Sequence, residues 1–408
     1  MARRRSKNRL LIYSHDSFGL GHLKRCRTIA HSLVDHRSDV SVLILSGSPI
    51  IGSFDFHSRV DFVRFPGVTK LRNGSYTPLG LDIGVEDALA IRESIVCHTA
   101  DAFAPDIFLV DKEPMGLRGE VKDTLVMLKE RGTRLVLGLR DVMDEPNALA
   151  EEWDRKNAVS ALDELYDDIW IYGLESICKP LDGIDLPASV YDKLSYTGYL
   201  RRSTTGVRNP ASNGNNTLND PYILVTPGGG GDGAGLVDWV LRAYEHDPDI
   251  PYSAYVVLGP FMHLELQNEF KRRVKKLPQV KATTFDSDLE NLISNAIGVI
   301  GMGGYNIFCE ILSFDKPGLI VPRTVPRLEQ YIRASKAEEL GLVTMLVDDG
   351  ERNPKNMADA IRELPQKHRP SDVLIPGLLD GLSATNAAMN QWLSSPRRSP
   401  LTLVQQEV

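Results

Sequence analysis

Cysteine is scarce: Cys26, Cys97, Cys178 and Cys309 are the four in 408 residues, and no pair has C-x-x-C spacing. That argues against a zinc site or a disulfide framework and fits a reducing compartment. Long apolar runs are also missing. No stretch approaches the roughly 20 residues needed to span a bilayer. The basic N-terminus runs directly into RLLIYS (9–14), too short for a signal-peptide core. A chain soluble in the cytoplasm is expected. Positive charge is not in excess either: the formal net charge is -7, a poor match for nucleic acid. The one basic cluster, Arg3, Arg4 and Arg5 with Lys7 and Arg9, reads as a frayed, solubilising tail. Its other reading is weak peripheral attraction to anionic headgroups at the inner face of the membrane.

Short buried-type strands alternating with helices are what the chain does contain. RLLIYS (9–14), VSVLILSG (40–47), DIFLVD (106–111), RLVLGLRD (134–141) and DIWIYG (168–173) are apolar runs with helical segments between them. In LKRCRTIAHSLV, Leu23, Cys26, Ile29, Ala30 and Leu33 recur at helical spacing. Residues 203–220 are rich in Ser, Asn, Thr and Gly and read as a linker. The rhythm then restarts with YILVTP (222–227), YSAYVVLG (252–259), VKATTF (280–285), GVIGM (298–302) and GLIVP (318–322). Such alternation predicts α/β architecture, two Rossmann-like domains with parallel sheets covered on both faces. The N-terminal domain is expected over 1–202 and the C-terminal one over 221–385. A terminal helix is expected over 372–392, and 386–408 as the helix end with a disordered tail.

Three glycine-bearing turns follow strands, where doubly wound sheets collect ligands. In HDSFGLGHLKRC (15–26), Gly19 and Gly21 permit close backbone approach, and the next helix offers N–H groups and a positive dipole to an anion. His22 stands at that helix start; its other reading is a capping residue. The spacing departs from G-x-G-x-x-G and no acidic residue closes the second strand, so a dinucleotide site is weakly supported. In TPGGGGDGAG (226–235), Gly228, Gly229, Gly230 and Gly231 cost backbone entropy, which implies that something approaches the main chain closely, phosphate being the usual visitor. No G-K-[ST] follows, so this is not a P-loop. In GMGGYNIFCEILSFDKPGLIVPR (301–323), Gly303 and Gly304 turn the chain into a helix over 305–314. Ile307 with Ile311 and Phe308 with Leu312 form its packed face, and Asn306 with Glu310 lie on another. A glycine-led helix start for a diphosphate, with a carboxylate further in to accept from both ribose hydroxyls, suits a nucleotide. Downstream, Gln330 heads a helix and can donate to and accept from sugar hydroxyls. Arg333 has two destinations open, the ligand or the surface.

These residues resemble a known pattern. The second half is similar to the C-terminal domain of family 28, MurG-like glycosyltransferases, in which G-G-x-x-x-x-x-E, then G-x-P, a V-P strand and a glutamine-containing helix surround a UDP-sugar. Gly303, Gly304 and Glu310 match, then Lys316-Pro317, Val321-Pro322, Glu329-Gln330 and Arg333-Ala334. The run 228–231 falls where the family has a second glycine loop. GLGH (19–22) resembles the end of its N-terminal loop, and YTGYLRR (196–202) the segment before its linker. The resemblance implies a B-type fold with an interdomain cleft, the donor on the C-terminal domain and the acceptor on the N-terminal one. It assigns the ribose to Glu310, the donor sugar to Gln330, and the diphosphate to Gly303, Gly304 and 228–231. His22 becomes the base or a phosphate contact, with Asp16 in reserve as base. Asn306 replaces the family's small hydroxyl residue and Glu329 its histidine, so the sugar's identity is open.

The implied reaction is an inverting, metal-independent transfer with no cofactor beyond the nucleotide-sugar co-substrate. The acceptor class (glycan, lipid-linked sugar or small molecule) is not readable, though loops near 111–116 and 140–146 are expected to face it. GLGHLKRC also resembles the G-x-G-H-x-x-R-C loop of the UDP-sugar hydrolase of pseudaminic acid synthesis, with His22, Arg25 and Cys26 matching. A UDP-sugar 2-epimerase and a non-catalytic nucleotide-sugar-binding protein are the remaining readings.

Overall fold

A computed structural model describes residues 8–15, 20–70, 75–204 and 221–395. The basic cluster up to Lys7, the bulk of the expected linker and the tail beyond 395 lie outside these. Two compact units divide the chain: Met1–Glu175, Pro180–Leu200 and Asp380–Val408 in the first, Ser176–Lys179 and Arg201–Leu379 in the second.

In the first unit the strands are β1 (Asn8–Ser14), β2 (Val40–Ser46), β3 (Val60–Arg64), β4 (Val68–Lys70), β5 (Tyr76–Pro78), β6 (Ile107–Asp111), β7 (Arg134–Arg140), β8 (Asp168–Tyr172) and β9 (Leu194–Tyr196). Helices α1 (Gly21–His36), α2 (Val85–Phe103), α3 (Lys122–Glu130), α4 (Pro146–Arg155), α5 (Ala158–Glu164) and α6 (Ala188–Tyr191) run between them. The sheet order is β3-β2-β1-β6-β7-β8-β9, parallel throughout, with β4–β5 a separate antiparallel ribbon. Central β1 is apolar without alternation because both its faces are covered: Leu10, Leu11, Ile12 and Tyr13 are wholly buried. Leu23, Cys26, Ile29, Ala30 and Leu33 form the buried stripe of α1, as their spacing predicts. The edge strands β3 and β9 carry polar residues and have no such signature. Arg9, grouped above with the basic tail, is a β1 residue whose guanidinium donates to the Phe103 carbonyl at 2.7 Å.

The second unit comprises β10 (Tyr222–Thr226), α7 (Ala234–His246), β11 (Ser253–Val257), α8 (Leu264–Val274), β12 (Val280–Thr283), α9 (Leu289–Asn295), β13 (Gly298–Gly301), α10 (Tyr305–Ser313), β14 (Gly318–Ile320), α11 (Glu329–Glu339), β15 (Thr344–Met345) and α12 (Pro354–Glu363). Its order is β12-β11-β10-β13-β14-β15, again all parallel. Each sheet reverses strand order beside its first strand, between β1 and β6 and between β10 and β13. In open α/β sheets ligands bind outside the carboxyl ends of the strands at such reversal points.

The terminal helix differs from expectation. It starts at Gly381, after Gly377 at φ 74°, and α13 (Gly381–Ser394) belongs with the first unit. The chain therefore changes unit at Asp380, ahead of the expected boundary at 385. A Cβ on Gly381 would meet the Gly198 carbonyl oxygen at 2.5 Å, so only glycine permits this seat. Asn386 donates to Ser32 at 2.8 Å, and Trp392 stacks on Trp170 at 5.7 Å.

Candidate functional site

At the carboxyl end of the first sheet, β6 finishes on Asp111 beside the start of α1. The Asp111 carboxylate accepts from Arg25 Nε and Nη2, both at 2.7 Å, and lies 2.5 Å from His22 Nδ1. Arg25 and Asp111 are each 1% exposed, whereas the His22 side chain keeps 15%. A fork-to-fork pair of this kind fixes both planes. Burial opposes the charge on Asp111, but Arg25 and His22 outweigh it and hold the carboxyl well below the usual range. An ionised carboxylate only accepts, so the proton in the short contact belongs to His22 Nδ1, leaving Nε2 bare. Burial then pushes the imidazole from 6.5 down to about 4. Asp111 resists, while Arg25, whose Nη2 stands 3.0 Å from Nδ1, and Lys112 add to the depression. At neutral pH this is an uncharged imidazole, the protonation state from which a base can accept a proton.

His15 packs edge-on against His22 with ring centroids 5.6 Å apart. It is buried, and burial, Lys112 and His22 hold its pKa well below 6.5 against Glu113. Glu113 is ion-paired to Lys156 at 2.7 Å. Burial raises its pKa, but Lys112, His15 and Lys156 outweigh that and lower it. Asp16 and Gly19 fall outside the described residues. Gly21 opens α1, whose N-cap Leu20 provides no side-chain cap.

In the second unit, the turn after β13 and the loop after β10 leave adjacent strands in register, Thr226 beside Gly301. Gly303 has φ 78° and a carbonyl that accepts from Arg333 Nη1 at 2.8 Å. Gly304 is the N-cap of α10, without side-chain cap, and a Cβ there would meet nothing within 4 Å. Behind it Glu310 is 1% exposed, on the same helix as the buried Ile307, Phe308, Ile311 and Leu312. Asn306 is half-buried, and its Oδ1 accepts from Arg202 Nη2 at 2.7 Å, which turns the amide NH2 to the other edge. Gln330 Oε1 accepts from the Arg323 backbone N–H at 3.1 Å.

Two expectations are refined here. Of Arg333's two destinations the open surface is excluded: it is 2% exposed, and its Nη1 donates to the carbonyl of Gly303 in the turn that leads into α10. The glycine run also has a main-chain visitor other than phosphate. A Cβ on Gly230, at φ 88°, would sit 2.9 Å from Gly259 Cα, and one on Gly259 would sit 2.6 Å from the Gly229 carbonyl. Gly229 O accepts from Phe261 N at 3.0 Å. Two loops thus pack backbone on backbone, which accounts for Gly230. Gly228, at φ 82°, has open space.

Sequence reasoning passed over Asp111 as the anchor of His22, although an acidic residue ending the strand beside β1 was a usable signal. Arg202 and Arg323 end the quoted segments YTGYLRR and GMGGYNIFCEILSFDKPGLIVPR, but neither was given a role of its own. Among the described residues no group of three or more His, Cys, Asp or Glu is arranged to hold a metal, and no helix is long and apolar enough to cross a membrane.

Residues 223–371 match the glycosyltransferase family 28 C-terminal domain. No curated protein matches the chain. Among solved structures, the calicheamicin glycosyltransferase CalG4 aligns over 96% of this chain and 100% of its own at 14% identity, TM-score 0.58. MurG of Acinetobacter baumannii aligns over 95% and 100% at 11% identity, TM-score 0.56. A Listeria monocytogenes protein described as a UDP-N-acetylglucosamine 2-epimerase aligns over 97% and 100% at 11% identity, TM-score 0.59. Such low identities establish the two-domain fold that these enzymes share, while the epimerase shows that the fold alone does not fix the reaction. The family match over residues 223–371 supports a glycosyltransferase.

Proposed function

We propose that the protein transfers a sugar from a UDP-linked donor to an acceptor hydroxyl, with inversion and without a divalent metal, and that it works in the cytoplasm. The observation that carries the reading is the family 28 domain with its open, glycine-led start of α10 and the buried Glu310 behind it. Four free thiols suit the compartment. In this reading Glu310 accepts from the ribose hydroxyls and Gln330 serves the donor sugar. His22 Nε2 takes the acceptor hydroxyl's proton as the new C–O bond forms at the anomeric carbon. The bond to the diphosphate breaks with its electron pair on the leaving oxygen. Helix N-termini and main-chain N–H groups stabilise that charge, and exclusion of water suppresses hydrolysis.

The test is a panel of nucleotide sugars with and without candidate acceptors. Glu310→Ala should weaken UDP binding, and His22→Ala should lower turnover by roughly two to four orders of magnitude with donor binding kept. Transfer at the wild-type rate in the His22 variant removes it as base. Free sugar released without acceptor would make the enzyme a hydrolase, and a new epimer would make it an epimerase. UDP binding with no product under any acceptor would leave a binding protein.

A further inference from the structure

One cation beside the glycine loop of the second unit has no role in the reading above. Arg323 follows β14 and stands between two carboxylates of different character. Asp232, in the glycine loop, is 44% exposed and pairs with Arg323 Nη1. Glu329, the first residue of α11, has 7% of its side chain exposed and accepts from Arg323 Nη2 at 3.0 Å. Nε is buried with no acceptor among the described residues, so there the two carboxylates leave the guanidinium incompletely satisfied. One side chain therefore ties together the segments that follow β10 and β14 and the start of α11. The turn after β13 adjoins them: Val321 N donates to Gly301 O at 2.8 Å, and a Cβ on Gly303 would lie 3.6 Å from the Gln330 carbonyl oxygen.

The loop assigned to the donor diphosphate thus carries a carboxylate of its own, next to its glycines. An arriving polyanion meets that charge, and Arg323 is the cation already seated on it. An ion pair with so exposed a partner is readily exchanged, whereas a guanidinium matches phosphate oxygens in geometry and charge. The buried Glu329 remains on Nη2 and keeps the fork oriented.

We propose that Arg323 is a ligand of the donor diphosphate, and that Asp232 occupies its Nη1 edge until the diphosphate displaces it. The proposal rests on the donor reading above and adds to it a residue and a built-in competitor.

Calorimetry with UDP and uridine on the full chain tests it, with dTDP, GDP, ADP and CDP run alongside. Arg323→Ala should weaken UDP binding at least tenfold and leave uridine unchanged, with Arg323→Lys between the two. Asp232→Asn should tighten UDP severalfold, and should have no effect when combined with Arg323→Ala. A purely structural ion pair demands the opposite sign, since Asp232→Asn would then loosen the loop and weaken UDP. That opposite sign, or wild-type affinity in Arg323→Ala, overturns the proposal while leaving the donor reading intact. If Arg323→Ala fails to fold, the sign for Asp232→Asn decides alone. Should the wild type bind none of the five diphosphates, the donor reading and this proposal fall together.

Discussion

Replacing Arg25 with Met would separate two opposing fields on His22. The guanidinium lies 3.0 Å from Nδ1, where a unit charge at an effective dielectric constant near 20 exerts about 5 kcal/mol. That figure is a ceiling, because Asp111 binds the same guanidinium through two hydrogen bonds and cancels much of its field. A net change of roughly one to three pKa units is the realistic range for one charge at contact distance. The imidazole, held at about 4 in the wild type, should therefore titrate at roughly 5 to 7 once the cation is gone and Asp111 is left to favour the protonated ring. Arg25→Lys keeps a cation and should keep the value low. The variant also leaves a buried carboxylate with a poorer partner, at about 3 to 5 kcal/mol of stability, so folding is checked first by circular dichroism. Imidazole 15N shifts followed against pH read the result without a substrate, and His22→Gln identifies the signal among nine histidines. A wild-type His22 titrating near 6.5, or an Arg25→Met ring still at about 4, would refute the reasoning.

Other consequences are as direct. The pKa of His22 is lower folded than unfolded, so the unfolded chain takes the proton first and stability falls as pH drops from 6.5 through about 4. That interval corresponds to about 3 kcal/mol, and acid-titrated urea melts should lose this portion of their slope in His22→Gln. Gly230→Ala forces a Cβ to 2.9 Å from Gly259 Cα at φ 88° and should cost at least about 2 kcal/mol in chemical denaturation. Gly304→Ala, with φ -59° and open space, should change stability by less than about 0.5 kcal/mol. Arg333→Ala should destabilise by about 2 to 4 kcal/mol, because it removes a buried charge-assisted bond to the Gly303 carbonyl.

The ten strands read from the sequence are all present: nine are largely buried, and such strands advertise themselves by composition, while the tenth, β12, is a partly exposed edge strand. The edge strands β3 and β9 did not advertise themselves, since VDFVR and LSY carry polar residues where one side meets water. Helical spacing gave the buried face of α1 correctly; on α10 it found Ile307, Phe308, Ile311 and Leu312, but Tyr305, Cys309 and Glu310 are buried as well. Long-range pairings of buried charge were not legible at all. Arg92 and Glu120 are joined at 2.6 Å and share Tyr13, but 28 residues separate them and neither has a motif. The Arg25–Asp111 pair spans 86 residues: each partner carried its own signal, Arg25 in the GLGHLKRC loop and Asp111 at a strand end, but nothing in the sequence joined the two. In the second unit the glycine patterns located the turns, yet what approaches Gly230 is Gly259, from a loop some thirty residues along the chain.

The seat of α13 bears on how this protein can be cut. A gene truncated at residue 202 would encode a first sheet lacking its last cover: the indole of Trp170 would lose its stacking partner, and Ser32 the amide of Asn386. The complementary fragment would carry an orphan helix with an unshielded tryptophan, a recipe for aggregation. Dissecting the two halves for separate ligand titrations therefore calls for grafting residues 380–395 onto the end of the first, so that each piece keeps the helices that cover its own sheet.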